Sequence, residues 1–325
     1  MNFFEELKNK LENKRVKIVF PEGHDLRVLK AAVDLYHDKV VDPIVLIKAE
    51  VLKDLVIKEN LDVEGMTFID NETYEDIEPL VQSFVERRKG KISEYDARKL
   101  LKTNRNYFGT MLVHTGLAQG LVSGADGSTA DTIRPGLQII KMKPGYKKAS
   151  GIFFLVKGEE RLYMADCGIN ILPDATDLAE SAVITDQTVR QFGDEPRIAL
   201  LSFSTKGSAS SPETEKVVEA LRIAKEMNPN LLIDGELQFD AAYVPEVAQK
   251  KAPNSMVAGH ANVFIFPTLD AGNIGYKIAQ RLGGYEAVGP VLQGLNKPVN
   301  DLSRGCVQAD VYNLALVTAV QAMEE

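Results

Sequence analysis

The chain of 325 residues, 45% apolar and 26% charged, has the balance of a soluble globular protein and the length to divide its core between two domains. Its net charge of −8 argues against a general nucleic-acid binder while leaving room for a local basic site for anions. Two isolated cysteines, Cys167 and Cys306, build no disulfide framework, and no stretch reaches the roughly 18 uncharged apolar residues of a membrane span.

The stretch MNFFEELKNKLENKRVK mixes acids with bases and lacks the apolar core of a signal peptide, so a cytoplasmic protein is expected. Phe3, Phe4, Leu7 and Leu11 have helical spacing, and residues 16–20 read as a strand. After the turn PEGHD, Asp25 caps a helix carrying Val28, Leu29, Ala32, Val33 and Tyr36. A strand at 43–47, a helix at 48–60 and a strand at 66–69 continue the alternation. Helices at 74–89, 93–101 and 105–117 precede a short strand at 120–124 and a helix at 129–141. This alternation calls for a parallel sheet covered on both faces.

The pattern changes at KMKPGYKKASG, where residues 150–157 and 162–167 form a hairpin around the polar GEE turn. A helix at 173–192, capped by Asp174 or Thr176, is followed by strands at 198–202, 231–233 and 263–266. Helices at 212–227, 241–250 and 273–282 separate and follow them. A domain boundary falls within 144–150, and the Gly- and Pro-dense stretch 283–299 is a second crossing. The first domain is then residues 1–146 plus 293–325, and the second is residues 147–292.

The missing motifs narrow the chemistry. No G-x-G-x-x-G, no G-x-x-x-x-G-K-[ST] and no G-x-S-x-G occurs, and the four histidines are scattered without H-E-x-x-H. Three polar loops at strand ends remain. SGADGSTADTIRPG reads equally as an anion-binding loop at a helix start, with Ser123, Ser128 and Thr129 as ligand contacts, or as a tight βα turn capped by Thr129; Arg134 follows before an irregular Pro135. SFSTKGSASSPETE carries Lys206 and places Pro212 at a first helical position. In DGELQFDAAYVP, Asp234 and Glu236 bind backbone and basic loops rather than a metal. Arg87 and Arg88 end the 74–89 helix, where cations suit the dipole.

The fourth loop, GPVLQGLNKPVNDLSRGCVQAD, gathers Ser303, Arg304 and Asp310 ahead of a terminal helix. If helical geometry reaches back to Ser303, seven residues at about 3.6 per turn put Ser303 and Asp310 on one face. A hydroxyl, a fixed cation and a carboxylate suit an anionic reactant. The alternative is a loop closed by an Arg304–Asp310 pair and a capping serine.

Five separated blocks, namely STADTIRPGLQI, LLSFSTKGSA, IDGELQFDAA, ANVFIFPTLDAGNIGYKIAQRL and GPVLQGLNKPVNDLSRGC, together resemble the phosphate acetyltransferase family over nearly the whole chain. The resemblance implies two α/β/α domains with mainly parallel sheets and an inter-domain cleft, like the isocitrate and isopropylmalate dehydrogenases, and a homodimer. It implies reversible acetyl transfer between CoA and orthophosphate, with CoA, acetyl-CoA, phosphate and acetyl phosphate as substrates and with no cofactor, metal, nucleic acid or membrane partner. Phosphate butyryltransferases are close relatives and stand as the alternative. The family's reactive serine and arginine match Ser303 and Arg304, its aspartate matches Asp310, and its other arginines match Arg134 and either Arg88 or the adjacent Arg87.

Chemistry supports those assignments. Every substrate is an anion, which arginine forks grip better than a lysine point charge. Attack of a thiol on the acyl carbonyl needs a base, an oxyanion donor and a phosphate clamp, assigned to Asp310, Ser303 with nearby amides, and Arg304 with Arg134. A free aspartate and a free thiol are mismatched by roughly 6 kcal/mol, so burial, concerted transfer or neighbouring arginines must close the gap. An acyl-serine on Ser303 is disfavoured because no histidine stands near it in sequence. Two other functions compete: a non-catalytic sensor of CoA or acyl phosphate, which has no need of Asp310, and a nicotinamide-dependent dehydrogenase, whose carboxylate metal ligands are missing.

Overall fold

A computed structural model describes residues 2–324. The chain forms two compact units, one running up to Lys143 and resuming at Leu295, the other Pro144–Gly294.

In the first unit, α1 (Phe3–Leu11) buries Phe3, Phe4, Leu7 and Leu11 and is closed at its start by reciprocal bonds between Asn2 and Glu5. β1 (Lys17–Phe20) leads into α2 (Leu26–His37), whose cap Asp25 accepts the Arg27 amide. β2 (Asp42–Leu46), α3 (Ala49–Glu59), β3 (Thr67–Ile69), α4 (Ile77–Arg88), α5 (Glu94–Thr103) and α6 (Arg105–His114) follow. β4 (Gly120–Ser123) feeds α7 (Thr129–Pro135), whose cap is Ser128 with Asp131 reciprocating. Pro135 lacks an N–H and interrupts the α-helical ladder, and the chain continues as a π-helix, Gly136–Ile140, instead of one helix to 141.

The second unit opens with the hairpin β5 (Ser150–Lys157) and β6 (Glu160–Ala165). α8 (Ala175–Gln191) is buried almost all round, as a helix packed on several sides must be. β7 (Ile198–Leu201), α9 (Pro212–Met227) and β8 (Ile233–Leu237) come next. Asp234 and Glu236 therefore lie inside β8 rather than beyond its end, a correction to the expected strand at 231–233. The expected helix at 241–250 is two, α10 (Phe239–Tyr243) and α11 (Pro245–Lys251), because Val244 before Pro245 is held extended. β9 (Val263–Ile265), α12 (Leu269–Arg281) and β10 (Glu286–Gln293) complete the unit. Its sheet has the order β10-β5-β6-β9-β7-β8, antiparallel on the β10 side and parallel from β6 onward.

The chain then returns as β11 (Val299–Asp301) and α13 (Gln308–Gln321). The first unit's sheet is wholly parallel, in the order β11-β4-β1-β2-β3. Ile18, Val19, Phe20 and Leu121 are completely buried, with α1, α2 and α13 packed together in one group and α4, α5, α6 and the π-helix in another. All five strands end in the same direction, so the loops after Phe20, Ser123 and Asp301 gather at one edge of the sheet.

The stretch 289–310, expected as a loop, thus holds part of one strand and all of another. Pro290 is tolerated because the register between β10 and β5 shifts between Val288 and Val291, a bulge that needs no ladder donor. Pro298 sits just before β11 and offers its carbonyl to Leu121. Helical geometry does not reach back to Ser303: α13 begins at Gln308, and 303–306 is a turn closed by the Cys306 amide on the Ser303 carbonyl.

Candidate active site

The most occupied group at the carboxyl edge of the first sheet is Glu22, two residues beyond β1. Its buried carboxylate accepts the amides of Gly124 and Ala125 at 2.8 Å, Gly127 at 3.0 Å and Asp126 at 3.1 Å. The glycine-rich loop is therefore an anion nest, as expected, but its anion is internal. The three polar residues named from this segment are engaged as well. Ser123 is buried and donates to Asn106 Oδ1 at 2.8 Å, the Ser128 N–H and hydroxyl both bind Asp131, and Thr129 reaches the carboxyl of Asp301.

The second unit repeats the device. Asp166 accepts the amides of Gly151, Gly168, Ile169 and Asn170, and Glu236 accepts the Ser204 hydroxyl at 2.7 Å and the Gly207 amide at 2.8 Å. Lys206 belongs to this unit and lines a cavity of about 770 Å³ with Lys225, Lys251 and Ser255. Its ammonium is bound to Asp234 and to the Gly235 carbonyl. Burial pushes the Asp234 carboxyl up, but hydrogen bonds from Lys206 and Ser255 outweigh it and hold the group below its ordinary value.

The arginines divide. Arg87 donates to the carbonyls of Ile139 at 2.5 Å and Ile140 at 2.7 Å, fastening α4 to the end of the π-helix. Arg88, one residue and about 100° further round the helix, makes no side-chain hydrogen bond or ion pair among the described residues. The same holds for Arg134 and Arg304, both exposed. Arg88 and Arg134 converge on the half-buried Tyr107, whose phenol burial pushes up while the two cations pull it down. The Lys141 ammonium is lowered by desolvation and by Arg87, Lys89 and Arg88, the mark of a cation-rich corner.

Ser303, Arg304 and Asp310 share the connection from β11 to α13, and all three are exposed. Ser303 Oγ accepts the Gly305 amide at 3.2 Å. No Arg304–Asp310 pair forms among the described residues; Asp310 Oδ2 instead accepts the Val307 amide at 2.8 Å and closes the start of α13. Cys306, behind the turn, has its thiol pushed up by burial, with Arg27 opposing and Asp310, Asp25 and Glu22 adding to the rise.

Asp301, two residues before Ser303, is 1% exposed and has one oxygen, Oδ1, without a hydrogen-bond partner. It packs so closely on Gly124 (φ +106°) that a Cβ there would lie 2.4 Å from Oδ1, so only glycine fits. Neither Glu22, Arg27 nor Asp301 is singled out by sequence reasoning. A signal existed for one of them: Arg27 stands in the first turn of α2, where the helix dipole disfavours a cation.

A family profile described as phosphate acetyl/butaryl transferase matches residues 2–319. The phosphate acetyltransferase of Bacillus subtilis (strain 168) is 60% identical over 322 residues, covering 99% of each chain. Among solved structures, a EutD phosphotransacetylase from Staphylococcus aureus has 57% identity and a TM-score of 0.94, covering 99% of this chain and 98% of that one. A phosphotransacetylase from Streptococcus pyogenes has 54% identity and a TM-score of 0.96, with the same coverage.

Proposed function

From the premise that this chain belongs to the phosphate acetyl/butaryl transferase family, we infer an acyltransferase that moves an acetyl group reversibly between CoA and orthophosphate. The observation that carries the site reading is the division among anion binders. The loop amides at the strand ends hold the protein's own carboxylates, whereas the guanidinium groups of Arg88, Arg134 and Arg304 are left for substrate. Relatives at 57–60% identity bearing the name phosphate acetyltransferase favour acetyl over butyryl.

In the direction of acetyl-CoA synthesis, the CoA sulfur attacks the acyl carbon and the carbon–oxygen bond to phosphate breaks, so that phosphate departs with that electron pair. Arg304 and Arg134 neutralise the phosphate, Ser303 donates to the carbonyl oxygen, and Arg88 grips an anionic group of CoA. Asp310 takes the thiol proton. Its carboxylate is exposed rather than buried, which leaves concerted transfer or nearby arginines to ease that step.

Acetyl-CoA and phosphate should release free thiol with and without a chelator, because no His, Cys or carboxylate spacing in the sequence suits a metal. Absence of thiol release would overturn the activity, and loss in chelator restored by a divalent ion would overturn the metal-free reading.

We further propose a cytoplasmic homodimer. The support is α12, which buries only Gly272 and exposes Ile274 and Ile278, with the exposed Leu282 just past its end continuing the four-residue spacing. Sedimentation should give twice the chain mass of 35.8 kDa, and a monomer at micromolar concentration would count against pairing.

A further inference from the structure

Arg27 uses every N–H of its guanidinium. Nε donates to Asp25 Oδ1 at 3.0 Å and Nη2 to Asp25 Oδ2 at 2.6 Å, a fork that fixes the plane of the group. The remaining hydrogens go to three carbonyls on two other loops. Nη2 donates to Ala125 O at 2.8 Å, and Nη1 donates to Arg304 O at 2.9 Å and Cys306 O at 2.8 Å. One side chain thus ties the loops that follow β1, β4 and β11. Asp25's hydrogen bond raises the guanidinium's affinity for its proton, and the Arg27 hydrogen bond draws the Asp25 carboxyl below its ordinary value.

The two carbonyls on Nη1 flank Gly305, an exposed residue with the widest backbone freedom. Within the turn, Cys306 N to Ser303 O at 2.8 Å and Gly305 N to Ser303 Oγ at 3.2 Å leave the carbonyls of Arg304 and Cys306 to Arg27. Its conformation is therefore clamped from outside. A lysine cannot replace the clamp, because a point charge cannot hold the Asp25 fork and three carbonyls at once.

We propose that Arg27 is a positioning residue for the reaction: by holding the carbonyls of Arg304 and Cys306 it aims the Ser303 hydroxyl and the Arg304 guanidinium. The proposal rests on the reading that Ser303 and Arg304 handle the acyl phosphate, and its test separates the two.

The variants are Arg27→Gln and the conservative Arg27→Lys, the second serving if the first does not fold. Misaimed groups should lower kcat by about tenfold to a hundredfold. Cys306 supplies a readout independent of activity. It is 6% exposed and Cys167 is 0% exposed, so both thiols of the native protein should react slowly with a chromogenic disulfide. Arg27 pulls the Cys306 thiol downward, so its loss alone would make that thiol less reactive. Faster labelling mapped to Cys306 therefore reports an opened turn. In the double variant with Arg304→Gln, turnover should fall by less than the product of the two single losses, since part of the effect of Arg27 runs through that residue. Unchanged kcat with unreactive Cys306 would overturn the proposal, as would losses that multiply in the double variant. Native turnover of Arg304→Gln alone would instead overturn the role given to Arg304, while the labelling still decides whether Arg27 holds the turn.

Discussion

Asp310→Asn is expected to lower turnover by about 10²–10⁴-fold while leaving the melting temperature nearly unchanged. The structure sharpens this test. The Asp310 carboxylate accepts the Val307 amide and so caps α13, a role independent of catalysis. Asparagine keeps an oxygen to accept that amide and loses only the basicity. Alanine loses both, and should add a stability cost of ~1 kcal/mol to the same loss of turnover. A base also predicts partial recovery of the asparagine variant at alkaline pH, where more CoA thiol is already ionised. Turnover from neutral to alkaline pH, measured with melting curves for both variants, gives the answer. If the asparagine variant turns over like the native protein at neutral pH and only the alanine variant melts early, Asp310 is a cap and nothing more.

Asp301→Asn should make the protein more stable at pH 7.5, against the usual outcome for a buried polar replacement. Burial pushes the Asp301 carboxyl up to about 6, with Glu22 and Asp131 adding to the rise and the hydroxyls of Thr129 and Thr132 opposing it. The folded state thus holds the proton more tightly than the unfolded state, whose ordinary value is 3.8. The group's contribution is fully present below about pH 4 and is lost as pH climbs through about 6. At 1.36 kcal/mol per pH unit, the gap between 3.8 and about 6 makes the ionised group cost ~3 kcal/mol above that range. Asparagine has the same shape and no charge, and the neighbouring Thr132 hydroxyl can accept from its amide instead of donating to a carboxylate. Denaturant unfolding at pH 4 and 7.5 should show an advantage of up to ~3 kcal/mol at the higher pH that closes at the lower. A difference of equal size at both pH values would refute the account.

Legibility from sequence followed the physics of each feature. The runs at 16–20 and 43–47 are readable because a buried parallel strand is apolar on both faces, and β1 and β2 lie there. β10 and β11 are hidden because proline normally argues against a strand, and only the finished sheet reveals a bulge at one and a strand start at the other. Nothing at a helix end distinguishes Arg87 from Arg88; that Arg87 is the one bound to backbone comes from carbonyls at Ile139 and Ile140, some fifty positions away. Glu22 looked like one letter of a turn because buried polar contacts have no period. Ser303 and Arg304 are proposed through the company they keep in the chain, whereas Arg27 reaches the Arg304 carbonyl from 277 positions away.

The strand order of the first sheet bears on how the chain is made. β4 lies between β1 and β11, yet β11 and α13 are encoded after the whole of Pro144–Gly294. During synthesis the inserted unit is contiguous and emerges complete, while the earlier sheet waits with one side of Leu121 and Val122 unpaired. Closure of that open edge brings in Ser303, Arg304 and Asp310 in the same stroke. A ribosome that stalls before residue 299 therefore leaves a sticky, half-sealed intermediate for chaperones rather than a partly active enzyme.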